Sequence, residues 1–122
     1  MADERLIAAL DVQSMDEVCQ LVEKLDDSVM FYKVGMELFY GVGPEVIKYL
    51  KDNNKKVFLD LKLHDIPNTV ANSLRVLTRL RVDMLNVHAT GGFAMMEKAL
   101  EALKDESEKL GIERPKLVAV TI

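Results

Sequence analysis

The sequence has a single cysteine, Cys19, in 122 residues, so no disulfide can form within the chain. Cys19 lies in MDEVCQLVEKL beside Val18 and Val22, where it reads as a small buried hydrophobe on a helix stripe. No stretch approaches the ~18 consecutive apolar residues that a membrane-spanning helix needs. The opening MADERLIAALDV mixes acidic residues with a short apolar run, unlike a secretory signal, so a cytoplasmic chain is the expectation. An excess of positive charge is also lacking. The formal net charge is −4 with both signs interspersed, which disfavours nucleic acid or an anionic membrane as partner. A small phosphorylated substrate stays open, because a few local donors can hold one.

Nucleotide and metal signatures are missing as well. LDVQSMDE after the first apolar run has no G-x-G-x-x-G, and no Walker A loop occurs anywhere. No Cys/His/Asp group has zinc-ligand spacing, and no Ser-His-Asp arrangement is suggested. No zinc site is therefore expected.

What is present is a globular composition. Hydrophobic residues make up 49% and charged residues 30%, which excludes a disordered chain, and the length suits one domain over residues 1–122. Short apolar runs alternate with amphipathic segments. Strands are predicted at 6–11 (LIAALD), 29–34 (VMFYKV), 57–63 (VFLDLKL), 82–88 (VDMLNVH) and 116–122 (KLVAVTI). Between them lie a helix at 15–25, one opened by Gly43-Pro44 and stopped at Asp52-Asn53-Asn54, one from Asp65-Ile66-Pro67 to about Leu80, and one at 93–110. Asp65 is the predicted N-cap of the third helix and Gly111 the C′ residue of the fourth.

Strict β-α alternation implies an α/β fold with a parallel sheet and right-handed crossovers. A doubly wound sheet and a TIM (β/α)8 barrel share this order. The polar residues that stand out, Asp11, Lys33, Asp60, Lys62 and His88, fall towards strand C-terminal ends, where barrels build their active sites. The barrel reading is preferred, as an N-terminal half of about five parallel strands and four helices.

The sharpest constellation is LDLKLHD at 59–65. Period-two alternation would put Asp60 and Lys62 on one face and Leu59, Leu61 and Leu63 on the other. Opposite charges in a confined space are costly unless they pair or act, so an ion pair and a catalytic pair both remain open. Lys33 is either a snorkelling lysine or a third member of the site, and Asp11 is either a turn residue or a fourth. His64 reads as a turn residue. His88 could line the site or make an internal hydrogen bond.

ALDV at 9–12, YKVG at 32–35, DLKLHDIPNT at 60–69 and NVHATGG at 86–92 resemble the orotidine 5′-monophosphate decarboxylase family. The resemblance implies a cofactor-free decarboxylation that yields UMP from a small nucleotide substrate. It also implies roles for individual residues. Asp60 would sit against the substrate carboxylate, and Lys62 would stabilise the C6 carbanion and protonate it. Lys33 would hold Asp60 and Lys62 in register and contact the ribose, while Asp11 would accept a hydrogen bond from a ribose hydroxyl. Asp65, Ile66 and Thr69 would reach into the active site of the second subunit of a homodimer. Family barrels run to roughly twice this length, near the ~250 residues typical of the fold. A catalytically silent half barrel that only folds or self-associates is thus the rival expectation, and a metal-dependent sugar-phosphate enzyme of related fold a weaker one. Relatives usually end helix three with glycine where this chain has Leu80-Arg81, so Arg81 needs another termination or a strained φ.

Overall fold

The structure, a computed structural model, describes residues 3–122. The chain divides into two compact units, one ending at Asp60 and the other beginning at Leu61. Among the described residues there are five strands and five α-helices, with strand order β1-β2-β3-β4-β5.

The first unit contains β1 (Ala8–Ala9), α1 (Met15–Leu25), β2 (Phe31–Gly35), α2 (Met36–Val42), α3 (Glu45–Asp52) and most of β3 (Lys56–Leu63). Local chemistry accounts for α1. The Ser14 hydroxyl accepts the Glu17 N–H at 3.2 Å and donates to the Glu17 carboxylate at 3.0 Å, an N-cap that fixes the first turn. Asp16 and Glu17 at its start and Lys24 at its end complement the helix dipole. Val18 and Val22, four residues apart, are buried, each contributing about 1.5–3 kcal/mol. The turn that follows is closed by Lys55, a buried lysine whose ammonium donates to the carbonyls of Asp26 at 2.9 Å and Val29 at 3.2 Å. In α3 the stripe is Val46, Ile47 and Leu50, all buried.

β2 pairs in parallel with β1 (Ala9↔Lys33) and with β3 (Lys33↔Phe58, Gly35↔Asp60). Phe31 at its start is buried, and from Tyr32 onward the side chains alternate. Tyr32 and Val34 are fully buried on one face, and Lys33 and Gly35 share the other. Cys19 is half-buried rather than enclosed, and it is hydrogen-bonded to the Tyr49 side chain. Burial holds the Tyr49 phenol above its ordinary pKa, and that hydrogen bond adds to the effect.

Three expectations are corrected here. The first strand pairs only at Ala8–Ala9, not over 6–11. The Leu6 N–H turns back to the Asp3 carbonyl, so Leu6 is exposed, and Leu10 is the buried residue, its N–H bonded to the Lys33 carbonyl at 3.0 Å. The second strand begins at Phe31, because pairing with Lys56 sets its start. A helix absent from the four-helix reading, α2, follows β2 directly and ends at Gly43, whose φ is 89°.

The second unit contains the end of β3, then α4 (Pro67–Thr78), β4 (Met84–His88), α5 (Phe93–Leu110) and β5 (Lys116–Val120), with β4 and β5 parallel. Val70, Leu74 and Leu77 of α4 and Met95, Ala99, Ala102 and Leu103 of α5 form its core. Two buried hydroxyls, Thr78 and Ser107, donate to the carbonyls four residues back at 2.6 Å, so neither is left unpaired. Arg75 bonds Asp105 at 2.7 Å and Arg79 bonds Glu106 at 3.1 Å, tying α4 to α5. The N-cap of α4 is Ile66, not Asp65. The Asp65 carboxylate instead accepts the Ile66 N–H at 2.7 Å, and Pro67 takes the first helical position, where no N–H is needed. Arg81 adopts the strained alternative, with φ at 61°. Gly111 takes the left-handed C-terminal position expected of it.

Candidate active site

The pair that the first unit brings together is Lys33 with Asp60. The register Gly35↔Asp60 places Lys33 diagonally across from Asp60 on the same face, within reach of a long side chain. The Lys33 ammonium donates to the Asp60 carboxylate at 3.4 Å, with the Asp60 side chain 8% exposed and that of Lys33 31% exposed. A carboxylate so withdrawn from water is tolerated because a charge of opposite sign meets it. Gly35, the cross-strand neighbour of Asp60, supplies no side chain, and a Cβ built there meets nothing within 4 Å. The backbone of Gly35 is extended, so conformation does not demand glycine; what the residue leaves is open space beside Asp60. Asp11 lies exposed just beyond β1, one residue after the Leu10–Lys33 backbone bond.

The second unit begins with the strained part of β3. Lys62 has φ at 52°, in the left-handed region that costs a non-glycine residue about 1–2 kcal/mol. Rotation about N–Cα redirects Cβ, so period-two alternation, valid through Asp60, does not set the direction of Lys62. The Lys62 N–H donates to the Asn86 side-chain oxygen at 2.9 Å, and Asn86 in β4 is buried. Beyond Lys62 the His64 and His88 rings lie 5.5 Å apart, inclined at 45°, so the turn after β3 packs against the end of β4. At the adjoining Gly91 a Cβ would collide with the end of the Met95 side chain, whereas its distance to His64, 3.4 Å, would be an ordinary contact. Asp65, Ile66 and Thr69, at the start of α4, are exposed, Ile66 by 66%. Among the described residues, no group of three or more His, Cys, Asp or Glu is arranged to hold a metal ion, and no helix is long and apolar enough to cross a membrane.

Nothing in the sequence singles out Asn86 or Gly35. An amide between Leu85 and Val87 reads as a strand residue, and a glycine after YKV reads as a turn. Both lie inside the motifs that carry the family resemblance, YKVG and NVHATGG, and that is the only signal that could have found them.

A family model for orotidine 5′-phosphate decarboxylase / HUMPS matches residues 4–122. The chain belongs to that family. Its relatives include orotidine 5′-phosphate decarboxylases of Bacillus cytotoxicus, 54% identical over 95% of this chain, and of Lactococcus lactis subsp. cremoris, 52% identical over 99%. These matches take in 48% and 51% of the two relatives, so the chain spans about half the length of the curated relatives it matches. The crystal structure of orotidine 5′-phosphate decarboxylase from Lactobacillus acidophilus superposes with a TM-score of 0.88 at 44% identity, covering 98% of this chain and 54% of that one. The enzyme from Pyrococcus horikoshii OT3 gives 0.72 at 28% identity, over 84% of this chain and 48% of that one. The α/β fold is thus that of the family's TIM barrel, of which this chain accounts for about half.

Proposed function

We propose that this chain carries the charge array of an orotidine 5′-monophosphate decarboxylase, which forms UMP and CO2 in pyrimidine biosynthesis without metal or cofactor. The observation that carries the reading is the part-buried Lys33–Asp60 pair, with Asp60 followed two residues later in the same strand by Lys62 in a strained backbone conformation. Breaking the C6–carboxyl bond leaves an electron pair on a pyrimidine carbon with no electron sink. A fixed ammonium is the simplest group to meet that charge, and preorganisation means that little rearrangement is needed when the charge appears. Lys62 is assigned this role, and it gives C6 the proton that replaces CO2.

Asp60 lies against the substrate carboxylate, Lys33 anchors Asp60 and contacts the ribose, and Asp11 accepts a hydrogen bond from a ribose hydroxyl. The exposure of Asp65, Ile66 and Thr69 supports a role across the interface of a cytoplasmic homodimer, where they complete the second subunit's site. His88 lines the same end of β4. The second reading, a silent half barrel, draws on the chain spanning about half of its relatives.

Following the absorbance of orotidine 5′-monophosphate with the purified chain, beside a Lys62→Ala control, separates the two. Turnover that survives a chelator and vanishes in the control supports the decarboxylase reading. Folded but inactive protein in both tubes supports the silent half barrel. Activity lost on chelation points instead to the metal-dependent relatives.

A further inference from the structure

We propose that Asn86 is a positioning residue for Lys62: its side-chain oxygen holds the Lys62 backbone in the left-handed conformation and so fixes the direction in which the ammonium leaves the strand. The inference rests on the reading of Lys62 as the proton donor, and goes beyond it by naming the group that aims it.

Two features of the second unit are odd separately and explain each other. Lys62 is a non-glycine residue at φ 52° within a strand, a conformation that relaxes unless its surroundings over-determine it. Asn86 is a polar side chain, 3% exposed, between buried Leu85 and Val87 in β4. A buried amide is costly unless bonded, so an apolar residue would be the ordinary occupant there. One bond connects them: the Lys62 N–H to the Asn86 oxygen at 2.9 Å, well inside the range for a good N–H···O bond. The bond anchors the peptide plane that precedes the Lys62 N–Cα bond, the point at which the backbone turns left-handed.

The consequence for Lys62 is geometric. Returning φ to the parallel-strand value near −120° would swing Cβ through about 170° and carry the ammonium, at the end of a four-carbon stem, away from its present direction. Asn86 touches no reacting atom and acts through Lys62. Its removal therefore lowers kcat more than it raises KM, because groups that hold the nucleotide elsewhere are unchanged.

The test compares Asn86→Leu, similar in shape and without an acceptor, with Asn86→Asp, which keeps an acceptor oxygen, in the isotopically labelled full chain. Backbone NMR reads the Lys62 conformation from its Cα and Cβ shifts, and hydrogen exchange reads its N–H. In Asn86→Leu the Lys62 N–H is expected to exchange about tenfold faster relative to Asp60 and Leu61, with shifts moving from left-handed towards strand values; Asn86→Asp retains both native signatures. Should Asn86→Leu not fold, the smaller Asn86→Ala carries the same reading. Unchanged Lys62 shifts and exchange in a folded acceptor-less variant overturn the proposal. So does a uniform rise in exchange along β3, which marks a merely structural residue. The kinetic arm expects kcat to fall about tenfold in Asn86→Leu with KM within about twofold, and Asn86→Asp to recover most of it. A wild-type chain without turnover would sink the decarboxylase reading, while the NMR arm still decides whether Asn86 sets the Lys62 backbone.

Discussion

Replacing Tyr32 with phenylalanine removes one oxygen from the interior of the first unit and leaves the ring in place. The Tyr32 side chain is fully buried, and its hydroxyl has no hydrogen-bond partner among the described residues. Burying an unpaired hydroxyl costs about 1–3 kcal/mol on the scale of protein substitutions, and phenylalanine has no such group to bury. Tyr32→Phe is therefore expected to stabilise the protein, by about 1–2 kcal/mol. For a chain this long, unfolding entropy near 2.1 cal/mol/K per residue makes each kcal/mol worth about 4 °C in Tm, so a rise of roughly 4–8 °C is expected. Urea unfolding followed by circular dichroism would show the same gain as a later midpoint. A second arm uses pH. Burial raises the Tyr32 pKa above its ordinary value of 10.0, whereas the unfolded phenol ionises normally. A raised pKa means that stability is intact below about pH 10 and declines as the pH rises further, because only the unfolded chain loses the proton readily. Tyr32→Phe should soften that alkaline decline. A variant that is less stable than wild type at pH 7 would refute the reasoning, since it would mean that the hydroxyl makes a bond worth more than its desolvation.

Three further outcomes follow from the structure. Gly35→Val places a side chain in the open space beside Asp60, on extended backbone that any residue adopts, so stability should change by less than about 1 kcal/mol while nucleotide binding, read by calorimetry, is abolished; unimpaired binding would remove that space from the site. Arg81→Gly relieves a left-handed non-glycine residue at the end of α4 and should raise stability by about 0.5–1 kcal/mol, a gain checked by thermal melting and contradicted by a lower Tm. The hydrogen bond from Arg75, and then the charge of Lys109, hold the Asp105 carboxyl below the usual carboxylate range. A lowered pKa gives stability that is present above about pH 4 and lost as the pH falls through the folded value. Asp105→Asn should therefore have an earlier urea midpoint than wild type at pH 7 and the same one near pH 2; an equal gap at both pH values would show that its charge is not the cause.

The elements most legible in the sequence are those whose ends are chemically marked. Ser14 with Glu17 delimits α1, and Gly92 with Gly111 delimits α5, each with the expected bounds of 15–25 and 93–110. These signals act within a few residues, so no tertiary information is needed to read them. By contrast α2, seven residues of MELFYGV between two glycines, is too short to show a helical period and too short to be stable alone. β1 shrinks to Ala8–Ala9 for a related reason: a strand's length is set by the neighbour it pairs with, not by its own apolar run.

The candidate site divides in the same way. Its residue types were readable from the charges punctuating apolar strands, and from DLKLHDIPNT above all. That fixed the family and the chemistry to look for. The Lys33–Asp60 contact belongs to the tertiary structure, because it joins residues 27 apart in sequence and depends on the register Gly35↔Asp60. The left-handed backbone at Lys62 and the Asn86 oxygen that meets it are tertiary as well. Local preference opposes that conformation, so a sequence rule built on local preference points to the opposite outcome. Only bonds from a distant strand, formed once the chain has folded, outweigh the cost.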